Sequence, residues 1–136
     1  VYAASKTEGE RQAWRWIEEN KPGFGFNAVL PCFNVKWYVD VEDVARLCII
    51  SLLDRSVQSE RIFAFGGPAH WEDTIPFLRK LRPENSRIPD APVGLPRDKT
   101  VIHGRGRAEG LLRGFYGREG FTGVQESLRV GVEGME

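Results

Sequence analysis

The segment from Val41 to Leu53 constrains the fold more than any other part of this sequence. It has the length of a helix, and its apolar side chains point to nearly every side. Asp40 stands where an N-cap is expected, and Arg46 and Asp54 are expected to mark the exposed edge. A helix of this kind is covered on most sides. Within an α/β fold, something must therefore pack against helix 41–53 besides the one strand visible next to it, and this can be a partner or a second copy of the chain.

Helices and short apolar segments alternate along the rest of the chain. Tyr2 to Asn20 has helical periodicity, with charged residues such as Glu8 and Arg11 opposite an apolar stripe. Four prolines between residues 82 and 100 predict a surface loop. The other predicted elements are strands at 24–30, 37–39 and 61–65 and helices at 70–81, 107–115 and 124–132.

Composition narrows the classes of function. The 136 residues suit a single domain, and 19 Lys and Arg balance 19 Asp and Glu, so we expect neither nucleic acid nor a membrane as partner. Cys32 and Cys48 match no zinc or redox spacing and are expected to be core thiols, and His70 and His103 imply no metal. With no leader or apolar run of ~20 residues, the expected location is the cytoplasm.

Tyr2 and Lys6 are the residues whose spacing suggests chemistry. Four residues apart on a helix, they place a phenol and an ammonium on the same face. A free phenol has a pKa near ~10 and transfers protons slowly at neutral pH. A nearby lysine cation lowers that pKa by stabilising the phenolate, which suits proton transfer to a developing alkoxide. The same spacing also arises by chance in helices.

The neighbours of Lys6 favour a function for this lysine. It shares one helix face with Gly9, Ala13 and Ile17, whereas a solubilising lysine is expected among the charged residues on the other face. We therefore expect Lys6 to belong to a site. The alternative is a lysine that extends along the helix end with its charged group in water.

Four motifs, in the same order, resemble those of one enzyme family. Residues 2–10 resemble Y-x-x-S-K-x-x-x-E, residues 28–35 a nicotinamide-side segment, residues 38–45 a V-D-V-x-D-V-A motif, and residues 107–112 a C-terminal R-A-E-x-L-L. The chain resembles the extended short-chain dehydrogenase/reductases, also called the NAD-dependent epimerase/dehydratase family. Within the family it is most similar to the dihydroflavonol-4-reductase and fungal ketoreductase subgroup, over the C-terminal portion only.

The resemblance implies a fold and a function. It implies one domain, 1–136, with the C-terminal part of a Rossmann-type parallel sheet in 1–81 and a small, mostly helical substrate-side region in 82–136. It implies a reductase that converts ketones or aldehydes to alcohols in secondary metabolism. The implied cofactor is NADPH, with NADH as the alternative, and no metal is implied. Tyr2 is then the general acid and Lys6 its activator. The implied cofactor-binding residues are Tyr2, Lys6, Pro31, Cys32, Phe33, Asn34 and Val35.

The sequence departs from the family pattern in two places. The family opens with a strand and a G-x-x-G-x-x-G turn for the pyrophosphate, and it has a catalytic Ser or Thr before the tyrosine; neither stands ahead of Tyr2 in these 136 residues. At Val35-Lys36 the chain also omits several dozen residues of substrate-side structure. These departures leave open a non-catalytic binding or interaction module as the alternative to a reductase. Epimerase or dehydratase chemistry is a third hypothesis.

Overall fold

The structure is a computed structural model that describes residues 1–32 and 36–133. Its elements confirm the predicted α/β class, and each predicted helix is present, with bounds within two residues of those expected. In chain order the elements are α1 (Tyr2–Asn20), β1 (Ala28–Pro31), β2 (Trp37–Tyr38), α2 (Val41–Leu53), β3 (Arg61–Ala64), β4 (Gly67–Pro68), α3 (Trp71–Leu81), α4 (Arg105–Tyr116) and α5 (Val124–Glu133).

Two small sheets contain the strands. β1 pairs with β3 in parallel, from Ala28 opposite Arg61 to Pro31 opposite Ala64, and α2 lies in the connection between them. This arrangement is consistent with part of a Rossmann-type sheet. β2 pairs with β4 in an antiparallel second sheet, so the strand predicted at 37–39 does not extend the parallel pair.

The strand predicted at 24–30 begins only at Ala28. Its partner β3 begins at the residue opposite Ala28, so the preceding residues have no ladder to join. Asn27 is held by its side chain instead. Its amide Nδ2 donates to the carbonyls of Ser51 and Val57, and its Oδ1 accepts from the N–H of Glu60. Asn27 thus connects the start of β1 to the last turn of α2 and to the segment between α2 and β3.

The core lies where α2 and α4 pack on the parallel strands. Among the described residues it contains eight buried apolar side chains: Leu47, Ile50, Val57, Ile62, Ala64, Ala108, Leu111 and Leu112. α4 forms although three of its twelve residues are glycine, because three others supply buried packing, which outweighs weak helix propensity. Gly104, just before α4, allows a close approach, since a Cβ there would lie 2.5 Å from the Phe63 ring.

α2 is covered on one side only, so the prediction that it is covered on most sides is wrong for the described residues. Its N-cap is Asp40 as predicted, with the carboxylate accepting from the N–H of Glu42. Arg46 and Asp54, expected at the exposed edge, are half-buried. Apolar residues occupy the exposed side, and Cys48 among them is exposed, so it is not a core thiol. Periodicity alone does not distinguish a covered face from an open one.

The C-terminal region joins the core through α4, while α5 packs against α3. The loop after α3 is fastened by Arg97, whose guanidinium donates two hydrogen bonds, of 2.7 and 2.9 Å, to the carboxylate of Asp73 on α3. Within residues 1–32 and 36–133, no helix is long and apolar enough to cross a bilayer.

Candidate active site

The first two turns of α1 carry the predicted catalytic pair. The Lys6 Nζ lies 5.5 Å from the centroid of the Tyr2 ring, so the spacing of four residues brings the two side chains together as expected. The Ser5 hydroxyl donates to the Tyr2 carbonyl at 2.8 Å. The geometry provides a phenol with a cation beside it, and the catalytic role of the pair stays a prediction.

The pair is exposed. Tyr2 is 62% exposed, and Lys6 and Gly9 are exposed as well. The face that the sequence assigns to Lys6 becomes half-buried only further along the helix, at Ala13 and Ile17. The four residues therefore share one face of α1. Within the described residues, other parts of the chain cover only the C-terminal half of that face.

The middle of α1 is attached to the parallel strands through Glu10. The guanidinium of Arg61, the first residue of β3, donates to both carboxylate oxygens of Glu10 at 2.7 and 3.2 Å. The Trp14 indole N–H donates to the same carboxylate, and the Trp14 and Phe26 rings form a T-shaped contact with centroids 4.7 Å apart. The hydrogen-bonded guanidinium of Arg61 lowers the pKa of Glu10 below its ordinary value.

We expect the docking of α1 to weaken in acid through Glu10. Because the folded state lowers the Glu10 pKa, this carboxylate stabilises the docked helix above about pH 4.5 and loses that contribution as pH falls through the lower, folded pKa. Amide-exchange protection of α1 between pH 6 and 3.5 should show the loss, and Glu10→Gln should show reduced protection already at pH 6. Glu8→Gln is the control, since the contacts of Glu8 within the described residues are with Arg11 and Gln12 of its own helix. Equal protection in both variants would contradict the prediction.

Pro31 and Cys32 lie at the carboxyl end of the parallel strands. Pro31 is the exposed last residue of β1, and the N–H of Cys32 donates to the Ala64 carbonyl at 3.1 Å. Burial raises the pKa of the half-buried Cys32 thiol. The other residues predicted here, Phe33, Asn34 and Val35, lie outside the described residues.

The two thiols should differ in reactivity. Because the thiolate is the nucleophile, the raised pKa and partial burial of Cys32 should slow its alkylation, whereas Cys48 is exposed. At pH 8 we expect iodoacetamide to label Cys48 roughly tenfold faster. Mass spectrometry of Cys32→Ser and Cys48→Ser measures the two rates separately, and faster labelling at Cys32 would refute this assignment.

Asp43 accepts hydrogen bonds from two separate segments of the chain, a role that the sequence did not predict. It is fully buried; its Oδ2 accepts from the N–H of Thr122 at 2.6 Å and its Oδ1 from Arg46 at 2.9 Å. Arg118 lies 3.8 Å from the same carboxylate, and the Tyr38 hydroxyl donates to the Thr122 carbonyl. These bonds hold the loop between α4 and α5 against α2 and β2. The overlooked signal was the helical spacing of Asp43 with the core residues at 47 and 50.

A cavity of about 450 Å³ opens beside this network, between the start of α2 and α5. Its lining mixes two guanidinium groups, Arg46 and Arg118, with the carboxyl groups of Asp40, Glu42 and Glu126. In the described part of the chain, no group of three His, Cys, Asp or Glu residues is placed to hold a metal ion.

Comparisons with known proteins identify relatives among fungal enzymes. No protein-family model matches the chain. The chain is 38% identical to the ketoreductase adrE of Penicillium roqueforti over 97% of its own length and 49% of that protein. It is 36% identical to the ketoreductase nvfG of Aspergillus novofumigatus, over 96% of the chain and 47% of the relative. The alignment with adrE spans 164 residues, which exceeds the 136 of this chain, so the relative has residues without a counterpart here.

Weaker matches point the same way. The chain is 27% identical to the NAD-dependent epimerase/dehydratase terH of Aspergillus terreus over 93% of its length. A segment of 42 residues is 55% identical to aldehyde reductase 2 of Sporidiobolus salmonicolor, 31% of the chain and 12% of that protein. The chain belongs to the extended short-chain dehydrogenase/reductases, with fungal ketoreductases and NAD-dependent epimerase/dehydratases as relatives, and spans about half the length of the ketoreductases it matches.

Proposed function

We propose that this chain is the proton-donating part of an NADPH-dependent reductase that converts a ketone or aldehyde to an alcohol. The observation that carries the proposal is the Lys6 ammonium beside the Tyr2 phenol on exposed helical turns. The cofactor supplies a hydride to the carbonyl carbon. Tyr2 donates its phenolic proton to the carbonyl oxygen, and Lys6 stabilises the phenolate that remains.

The direction of α1 supports this assignment. Trp14 packs on Phe26, which precedes β1, and Glu10, one turn earlier in the helix, bonds Arg61, which is level with the first residue of β1. Going toward the amino end of α1 therefore follows β1 toward its carboxyl end at Pro31. Ligands of open α/β sheets bind outside the carboxyl ends of the strands. The orientation favours a shared site for the exposed pair and the Pro31 segment.

The cofactor-binding groups of this chain would serve the nicotinamide end. Lys6 donates to a ribose hydroxyl in the proposed site, and the exposed Pro31 with Cys32 borders the nicotinamide. NADPH is preferred to NADH because of the resemblance to ketoreductases, although two similar proteins are described as NAD-dependent. Because a ketoreductase and an aldehyde reductase are among the similar proteins, we propose a small carbonyl compound as the substrate.

Titration with NADPH, followed by cofactor fluorescence, tests the proposal. Saturable binding with a Kd at micromolar concentration is expected, and Lys6→Met should weaken it roughly tenfold, because the variant loses the ammonium but keeps the alkyl chain. Lys80→Met, at an exposed position on α3, is the matched control and should bind as the unchanged chain does. Absence of binding at millimolar NADPH would reject independent catalysis by this chain.

A non-catalytic binding module is the second candidate. The observation that favours it is the exposed apolar side of α2, where Leu52 is 83% exposed. Under this hypothesis NADPH binds neither the unchanged chain nor the Lys80→Met control. The same titration therefore separates the two functions.

A further inference from the structure

Three aromatic rings form a row along the end of β3 and the start of β2. The Phe63 ring lies 6.3 Å from the Phe65 ring, and the Phe65 ring lies 6.0 Å from the Trp37 ring, centroid to centroid. All three residues are half-buried, so each keeps some exposed surface. The neighbours of Phe63 in the strand, Ile62 and Ala64, are buried in the core, so Phe63 points to the opposite side of the sheet. This aromatic row is therefore separate from the core.

The aromatic row begins beside the attachment of α1. The Arg61 guanidinium, which bonds Glu10, lies 5.3 Å from the centroid of the Phe63 ring. Four residues of helix rise by about 6 Å and two residues of strand by about 6.6 Å, so Lys6 and Phe63 lie at similar heights beyond that attachment. Tyr2, one further turn along α1, is level with the continuation of the row. The catalytic pair and the row thus extend in the same direction.

A ligand has access to the side of α1 that is nearest the aromatic row. Residues 1–9 are all exposed, so within the described residues this end of the helix is open to solvent. The row itself is held in place. A Cβ on Gly104 would lie 2.5 Å from the Phe63 ring, and the Phe65 carbonyl accepts from the Arg105 Nε at 3.0 Å. Fixed apolar rings favour binding, because little further ordering is needed when a ligand arrives.

We propose that the aromatic row binds an apolar ring system of the substrate while the carbonyl attached to it meets Tyr2. This inference rests on the proposed reductase function and adds the class of substrate, which is a ketone or aldehyde that carries apolar rings. Such rings pack on aromatic side chains in offset or edge-to-face contacts. Three protein rings at spacings of 6.3 and 6.0 Å suit fused rings better than a single one. A sugar or a short aliphatic ketone has no surface that matches the row.

Saturation-transfer NMR with 2-acetonaphthone, a methyl ketone on a bicyclic aromatic ring, tests this binding without turnover. We expect a Kd below about 1 mM, and roughly tenfold stronger binding than for the monocyclic acetophenone, because the second ring covers more of the aromatic row. Phe65→Ala should weaken the binding of 2-acetonaphthone roughly tenfold.

Phe115→Ala is the matched control. Phe115 is 40% exposed on α4, and its ring meets Tyr116 in the same T-shaped geometry in which Phe65 meets Trp37. Its variant should bind 2-acetonaphthone as the unchanged chain does. Phe65→Leu covers the possibility that Phe65→Ala fails to fold. It keeps most of the apolar volume, so its urea midpoint should be unchanged while 2-acetonaphthone binds roughly threefold more weakly.

The outcomes distinguish this inference from the proposed function. Binding that depends on Phe65, without reduction of any ketone, would support the ring-binding row and reject the reductase proposal. Reduction of 2-acetonaphthone with a kcat/KM that both Phe65 variants leave unchanged would support the reductase and overturn the row as a substrate site. Absence of 2-acetonaphthone binding at millimolar concentration, or equal weakening by Phe115→Ala, would also overturn the inference.

Discussion

Replacing Tyr2 by phenylalanine is expected to lower ketone-dependent NADPH oxidation by at least about 100-fold while leaving the Kd for NADPH nearly unchanged. The variant loses only the phenolic hydroxyl, which is the proton donor in the proposed reaction. The aromatic ring beside the Lys6 ammonium remains, so the helix and the cation keep their contact. The loss should therefore appear in kcat and not in cofactor binding.

Tyr116→Phe is the control for this substitution. Tyr116 ends α4, is 39% exposed, and has no part in the proposed site, so its variant should retain full activity. Both variants are measured with a panel of aldehydes and ketones at saturating NADPH, by the loss of cofactor absorbance. Equal rates for Tyr2→Phe and the unchanged chain would remove Tyr2 from the reaction, whereas weaker NADPH binding alone would give it a binding role.

Local patterns were sufficient to predict the helices and the proximity of Tyr2 and Lys6. α1, α2 and α3 have enough residues for helical periodicity to emerge, and the i,i+4 spacing of Tyr2 and Lys6 already defines their neighbourhood. The strands were harder, because a strand extends only as far as its partner does. β1 begins where β3 begins, and this depends on residues more than thirty positions away.

Contacts between distant segments were not readable from the sequence. Glu10 meets Arg61, and Asp43 meets Thr122, across separations of 51 and 79 positions. Nothing in the local spacing of these residues identifies the partner. A nearly apolar helix such as α2 likewise carries two candidate core faces, and tertiary packing selects the one that contains Asp43.

Asp43→Asn is expected to destabilise the fold by about 3 kcal/mol, because a buried charge pair loses one partner while the other remains. The asparagine oxygen can still accept from the Thr122 N–H, but its amide then meets the Arg46 guanidinium, donor against donor. Arg46 and Arg118 are each partly exposed, at 24% and 33%, so water offsets some of the loss. In urea unfolding, the midpoint urea concentration should fall, while the dependence of the unfolding free energy on urea concentration stays unchanged.

The neighbouring residue supplies the control for Asp43. Glu42→Gln removes the same charge from the same helix and from the same Arg46, yet its side chain is 66% exposed, so its cost should stay below about 1 kcal/mol. Amide exchange then distinguishes a loss of contact between α2 and the loop that joins α4 and α5 from a loss of global stability. The Thr122 N–H should exchange faster in Asp43→Asn, because a neutral amide oxygen is a weaker acceptor and the clash with Arg46 loosens the site. It should stay protected in Glu42→Gln, because that variant keeps the Asp43 carboxylate that accepts its hydrogen bond. Comparable losses in both variants would mean that charge on α2, and not the buried carboxylate, holds the loop between α4 and α5 in place.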